Sequence, residues 1–151
     1  MRGEVKRLLV GVGLLGMIGF GCKSLGMNSN AQTYPLQVSH LVSAAKGDVI
    51  VTPQEGGNQR VRVEVDHMAP ADLASKGATT YVVWVKPEGT ETPQNVGTLP
   101  LDNDRKGRFE TTTALTEFEV MVTPEQDPQT QKPSKSSVLK AEVTPKHRGV
   151  Y

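Results

Sequence analysis

The sequence predicts an all-β fold: a small antiparallel β-sandwich, Ig-like, of about seven strands. Three observations predict it. The stretch Thr79-Thr80-Tyr81-Val82-Val83-Trp84-Val85-Lys86 is the densest run of β-branched and aromatic residues and holds the single Trp; such side chains fit a pleated, buried surface. Residues 60–66 alternate strictly, with Val61, Val63 and Val65 toward a core and Arg62, Glu64 and Asp66 toward water, the period of a half-buried strand. Short runs of this kind recur along the chain between turn signals, the spacing of a sandwich. With 15 Gly, 10 Pro and 5% aromatic residues, a turn-rich domain with a modest core is expected.

Taken in order, residues 48–52 read as a short strand that Pro53 stops. Glu55-Gly56-Gly57-Asn58 is a turn. With residues 60–66 it makes a hairpin whose loop is longer than the two-residue type. Residues 68–78 contain one helical turn around Asp72-Leu73-Ala74-Ser75, closed by Gly77 where a left-handed residue is favoured. In residues 79–86, Tyr81, Val83 and Val85 fall on one side, Val82 and Trp84 on the other. A strand apolar on both faces belongs in the middle of a sheet, with something packed over each face.

Residues 95–101 predict a weaker strand, placed at an edge by Pro100. Residues 102–107 make a tight charged turn, and residues 108–113 return from it. Phe118, Val120 and Val122 alternate with Glu119, Met121 and Thr123 as a further strand. Residues 124–136, rich in Pro, Gln, Ser and Lys, predict a long loop, and residues 137–143 the last strand. The expected sandwich is therefore residues 47–143, followed by a polar tail at 144–151. Residues 34–45 read either as an edge strand or as an extended arm lying on the domain. One Cys rules out an internal disulfide, so Val, Leu and Phe must hold the core.

The N-terminus gives an address. Residues 1–7 are short and mostly basic, and residues 8–20 are an apolar run. That run is shorter than the roughly 20 residues a membrane span needs and has the proportions of a secretory signal. Gly19 and Gly21 precede Cys22. The order resembles a bacterial lipoprotein signal. That resemblance implies cleavage after residue 21 and lipidation of Cys22, with 22–46 as a flexible tether to the domain; Gly19 stands where such signals usually carry Leu. Lipidation would also cap what is otherwise an exposed thiol in an exported protein. The residue after the Cys is Lys23, not Asp, which in that family points to the outer membrane where two membranes exist.

A second resemblance covers residues 47–143. Thr79-Thr80-Tyr81-Val82-Val83-Trp84, Val96-Gly97-Thr98-Leu99, the acidic turn to Gly107-Arg108, Glu119-Val120-Met121-Val122-Thr123-Pro124-Glu125, and Pro133-Ser134 before Val138-Leu139 together resemble the extracytoplasmic C-terminal β domain of anti-sigma-K-type regulators. The pattern is also similar to that of uncharacterised envelope lipoproteins. The resemblance implies the fold and an extracytoplasmic interaction role. No sigma-binding segment, membrane span or His/Cys metal cluster is read in the chain, so sigma-factor inhibition is not expected to carry over.

Composition and motifs narrow the chemistry. A net charge of +1, falling to −1 once residues 1–21 are removed with their three basic and one acidic residues, offers no basic face for nucleic acid. Asp102-Asn103-Asp104-Arg105-Lys106-Gly107 resembles the start of a calcium loop, but Lys106 fills the fifth position, where calcium needs an oxygen. A polar turn is the expected reading. His40, His67 and His147 are far apart, and neither they nor Asp66-His67-Met68 make a metal set. No Gly-x-Ser-x-Gly motif or Ser/His/Asp set is found. Trp84 reads as core or as a sugar-stacking platform, and its Val neighbours favour the core.

The expectation is a non-enzymatic protein without cofactor, tethered through Cys22 to a bacterial envelope membrane and acting on an envelope protein partner. The 124–136 loop is the candidate contact, through Pro124, Asp127, Pro128, Lys132 and Pro133, because long loops on a rigid scaffold carry function. The alternative is a glycan- or peptidoglycan-binding module, for which three Tyr and one Trp are a thin supply of stacking aromatics.

Overall fold

A computed structural model describes residues 30–144. Cys22, the segment 1–21 and the tail from residue 145 lie outside the described residues. The described chain folds as nine strands: β1 Gln32–Pro35, β2 Gln37–Val38, β3 Lys46–Pro53, β4 Gln59–Asp66, β5 Thr80–Pro87, β6 Gln94–Thr98, β7 Gly107–Thr113, β8 Phe118–Glu125 and β9 Leu139–Val143. They form two antiparallel sheets, ordered β1-β3-β4-β7 and β2-β9-β8-β5-β6. This is the expected β-sandwich.

Each sheet turns one apolar row inward. Val49 and Val51 of β3 pair with Val63 and Val61 of β4. Opposite them lie Tyr81, Val83 and Val85 of β5, Phe118, Val120 and Val122 of β8, and Leu139, Ala141 and Val143 of β9, all buried in one core. The outward row of the four-stranded sheet is charged. Arg60 and Arg62 both reach Glu110, at 3.4 and 3.1 Å, and Arg108 reaches Glu64 at 3.4 Å. These pairs are exposed and contribute at most about 1 kcal/mol each. They keep that face wet and fix its register.

The domain begins earlier than residue 47. Within the expected 22–46 tether, β1 pairs with β3 and β2 pairs with β9, so the chain changes sheets between Pro35 and Gln37. Leu36 sits at the change, buried, with its N–H donated to the Gly47 carbonyl at 2.9 Å. Tyr34, Val42 and Ala45 are buried as well. Strands this short carry too few residues for an alternation signal, which is why about seven strands are legible and nine are present.

Two further differences concern β5 and its neighbours. β8, not β5, is the middle strand of its sheet, and β5 is followed only by the edge strand β6. Pro124 is not in the loop. It is a buried residue of β8 paired with Tyr81. Its carbonyl accepts from Ser134 Oγ at 3.3 Å, on the side where β9 has already ended, so the missing N–H costs no ladder bond. The helical turn, Ala71–Ala74, and the left-handed Gly77 fall where expected.

Candidate interaction loop

The outer face of the five-stranded sheet builds the candidate site. Val82, Trp84 and Met121 form a second apolar cluster, separate from the main core, because Trp84 pairs with Met121 and Val82 with Thr123 across β5 and β8. Trp84 is 0% exposed, yet among the described residues no third sheet lies over it. The segment 126–137 leaves the end of β8, is held at β6 by Asn95, the register partner of Trp84, and returns to β9, a path that carries it across this face.

Polar contacts hold that segment down. Asn95, the β6 partner of Trp84, donates from Nδ2 to the carbonyls of Pro128 and Thr130, both at 2.9 Å. Its Oδ1 accepts from the Gly97 N–H at 3.1 Å. Gly97 has φ +143°, and a Cβ there would lie 2.7 Å from the Phe109 ring, so only glycine allows this bulge beside β7. Beneath the loop runs a buried chain. Trp84 Nε1–H donates to Thr123 Oγ1 at 2.8 Å, and Thr123 Oγ1 donates to Glu125 Oε1 at 2.6 Å. The Ser134 N–H donates to the same Glu125 oxygen at 2.6 Å. Such a network is strong while every member is satisfied.

The sequence-predicted residues divide accordingly. Asp127 is exposed, and its Oδ1 accepts from the Gln129 N–H at 2.8 Å, making a turn. Pro128 is exposed and hands its carbonyl to Asn95. Lys132 is exposed and Pro133 half-buried. Asp127, Pro128, Lys132 and Pro133 thus share one surface, while Pro124 lies under it. Sequence reasoning missed Asn95, Thr123 and Glu125. Thr123 and Glu125 share the face of Trp84 at a two-residue spacing, and that spacing was the available signal.

The charged turn at residues 102–107 takes the expected form. Asp102 Oδ1 accepts from the N–H groups of Asp104 and Lys106 at 2.9 and 2.8 Å, and Arg105 takes a left-handed φ of +60°: a side-chain-stapled turn. Among the described residues no group of three or more His, Cys, Asp or Glu could hold a metal, and no helix is long and apolar enough to cross a membrane. Tyr81 is buried with its hydroxyl donating to the Ala69 carbonyl at 2.7 Å; burial, with the Asp72 charge second, pushes its pKa up to about 12. Burial also raises Tyr34.

A hollow of about 370 Å³ at the far end of the sheet is lined by Lys86, Glu88, Glu91, Glu119 and Glu142 among others. A hydrogen bond to Glu117, followed by the charge of Glu117, burial and the charge of Glu142, raises the Glu88 pKa. Glu119 Oε1 lies 3.5 Å from Lys86 Nζ, an ion pair without the geometry of a hydrogen bond.

Compared with protein-family models and with curated proteins, the chain matches none.

Proposed function

We propose that this chain is a lipid-anchored, non-enzymatic protein of the bacterial envelope that binds an envelope protein partner through the 126–137 loop. The observation that carries the reading is the loop itself: a polar, exposed segment pinned at Asn95 and at Glu125 on a rigid sandwich. Loops of this length are either connectors or binding surfaces, and one held in a single shape loses little entropy on binding. The anchor rests on the order of basic start, apolar run and Cys22. The resemblance to the extracytoplasmic domain of anti-sigma-K-type regulators points to the same side of the membrane and to contact with another protein.

The glycan reading is weaker because stacking needs exposed aromatic faces. Trp84, Tyr81 and Phe118 are at most 3% exposed and Tyr34 is 9% exposed, and among the described aromatic residues Phe109 alone is half-buried, its ring against Gly97. The test compares retention of the full-length protein on purified cell wall with coprecipitation of a protein from solubilised membranes. Coprecipitation without wall retention is expected; wall retention alone would replace the proposal by the glycan alternative.

A further inference from the structure

Beside the loop lies a hollow of about 310 Å³, lined by Ser75, Lys76, Glu125, Asp127, Thr130 and Ser134 among others. Both of its walls are tied to the end of β8. On one side the Thr79 N–H and Oγ1 donate to the carbonyls of Glu125 and Gln126, each at 2.9 Å. On the other, Ser134 N–H donates to Glu125 Oε1. Gly77, with φ +84°, brings its Cα side against the Gln126 amide, where a Cβ would lie 3.0 Å from Nε2.

Glu125 is the unusual member. It is 9% exposed, and a carboxylate so buried ordinarily finds donors for both oxygens. Here both hydrogen bonds fall on Oε1. Oε2 accepts from none of the described residues, and it is not sealed from solvent. Asp127 adds a second carboxylate and Lys76 a single ammonium, so the lining is net negative. The geometry points to a site for one primary ammonium, supplied by a lysine side chain of the protein partner, with Glu125 Oε2 as its acceptor. This rests on the interaction reading above and names the chemistry of that contact.

Lysine fits better than arginine. A guanidinium seeks both oxygens of a carboxylate in a fork, and Oε1 is already taken twice. An ammonium is a point charge that needs one free oxygen and a space of this size.

The test uses the full-length chain carrying Cys22→Ser, titrated with N-acetyl-lysine methylamide and, in parallel, with its norleucine and arginine counterparts, read by amide NMR shifts. Saturable shifts at Glu125, Ser134 and residues 75–78 with the lysine compound alone are expected. Glu125→Gln keeps one oxygen to accept from Thr123 and Ser134 but removes the charge, and should weaken binding about tenfold or more. Lys76→Met removes the competing charge at the rim, leaves Glu125 untouched, and should tighten binding. Equal shifts with norleucine, shifts elsewhere, or unchanged affinity in both variants would overturn the site. A captured partner whose binding ignores Glu125→Gln overturns the ammonium site and leaves the interaction reading standing. Lysine-specific binding without any partner does the reverse.

Discussion

Thr123→Val is the most informative single change. Thr123 is 1% exposed and its hydroxyl joins Trp84 Nε1 to Glu125 Oε1. Valine has nearly the same shape, so packing over the outer face survives while both hydrogen bonds are lost. A buried N–H left without an acceptor costs about 1–3 kcal/mol, and a hydrogen bond to a charged group contributes about 1.5–3 kcal/mol. Glu125 keeps its bond from Ser134, so the sum falls toward the lower end, at about 3 kcal/mol. For a domain of this size that lowers Tm by on the order of 10 °C. The assay is urea unfolding followed by far-ultraviolet circular dichroism, in wild-type and Trp84→Phe backgrounds. Without the indole N–H the same Thr123→Val change should cost about 1–2 kcal/mol less, a coupling that a double-mutant cycle reads directly. A cost within about 0.5 kcal/mol of zero, or none of that coupling, would refute the buried chain.

Three other outcomes follow from the same structure. Gly47→Ala places a Cβ 2.5 Å from the Glu64 carbonyl oxygen and 2.9 Å from Leu36 Cδ1; since the first is backbone in the β3–β4 ladder, a loss of about 2 kcal/mol or more is expected by chemical denaturation. Asn95→Ala releases the carbonyls of Pro128 and Thr130, so acrylamide should quench Trp84 fluorescence several-fold faster while the core unfolds at nearly the same denaturant concentration, because the cover loosens before the sandwich does. Glu88 binds its proton more tightly folded than unfolded, so the stabilisation from the proton shared with Glu117 is complete below the ordinary glutamate value and is lost as pH rises through the raised one. Glu117→Gln should therefore raise Tm relative to wild type at neutral pH and lose that advantage in acid; calorimetric scans in which the advantage grows toward acid pH would contradict the pairing.

Much of the sandwich was legible because its rules are local. Val61, Val63 and Val65 alternate as a half-buried strand must, and they face Val51, Val49 and Gly47 across the hairpin. The weaker strand expected over 95–101 does lie at an edge, but as Gln94–Thr98, so Pro100, which suggested the edge, falls beyond its end. What was not legible depends on contacts far apart in sequence. The sheet change at Leu36 rests on Gly47, and no periodicity announces it. The two apolar faces of residues 79–86 showed that something must cover Trp84. That the cover is a polar loop, fastened by Asn95 and Glu125, needed three strands and the loop placed together. Composition placed Asp127, Pro128, Lys132 and Pro133 in the loop, where they lie; Pro124 was misplaced because a proline late in a strand is tolerated once the neighbouring strand has stopped.

The central claim is a tethered protein–protein contact at this loop, and the direct measurement is site-specific photo-crosslinking in intact cells. A photoreactive residue replaces Lys132 on the loop or Arg108 on the charged face of the opposite sheet, each with and without Cys22→Ser. Crosslinks to one protein from position 132, absent at 108 and lost with Cys22→Ser, are predicted. Equal crosslinking from 108, or from 132 regardless of Cys22, would contradict the claim.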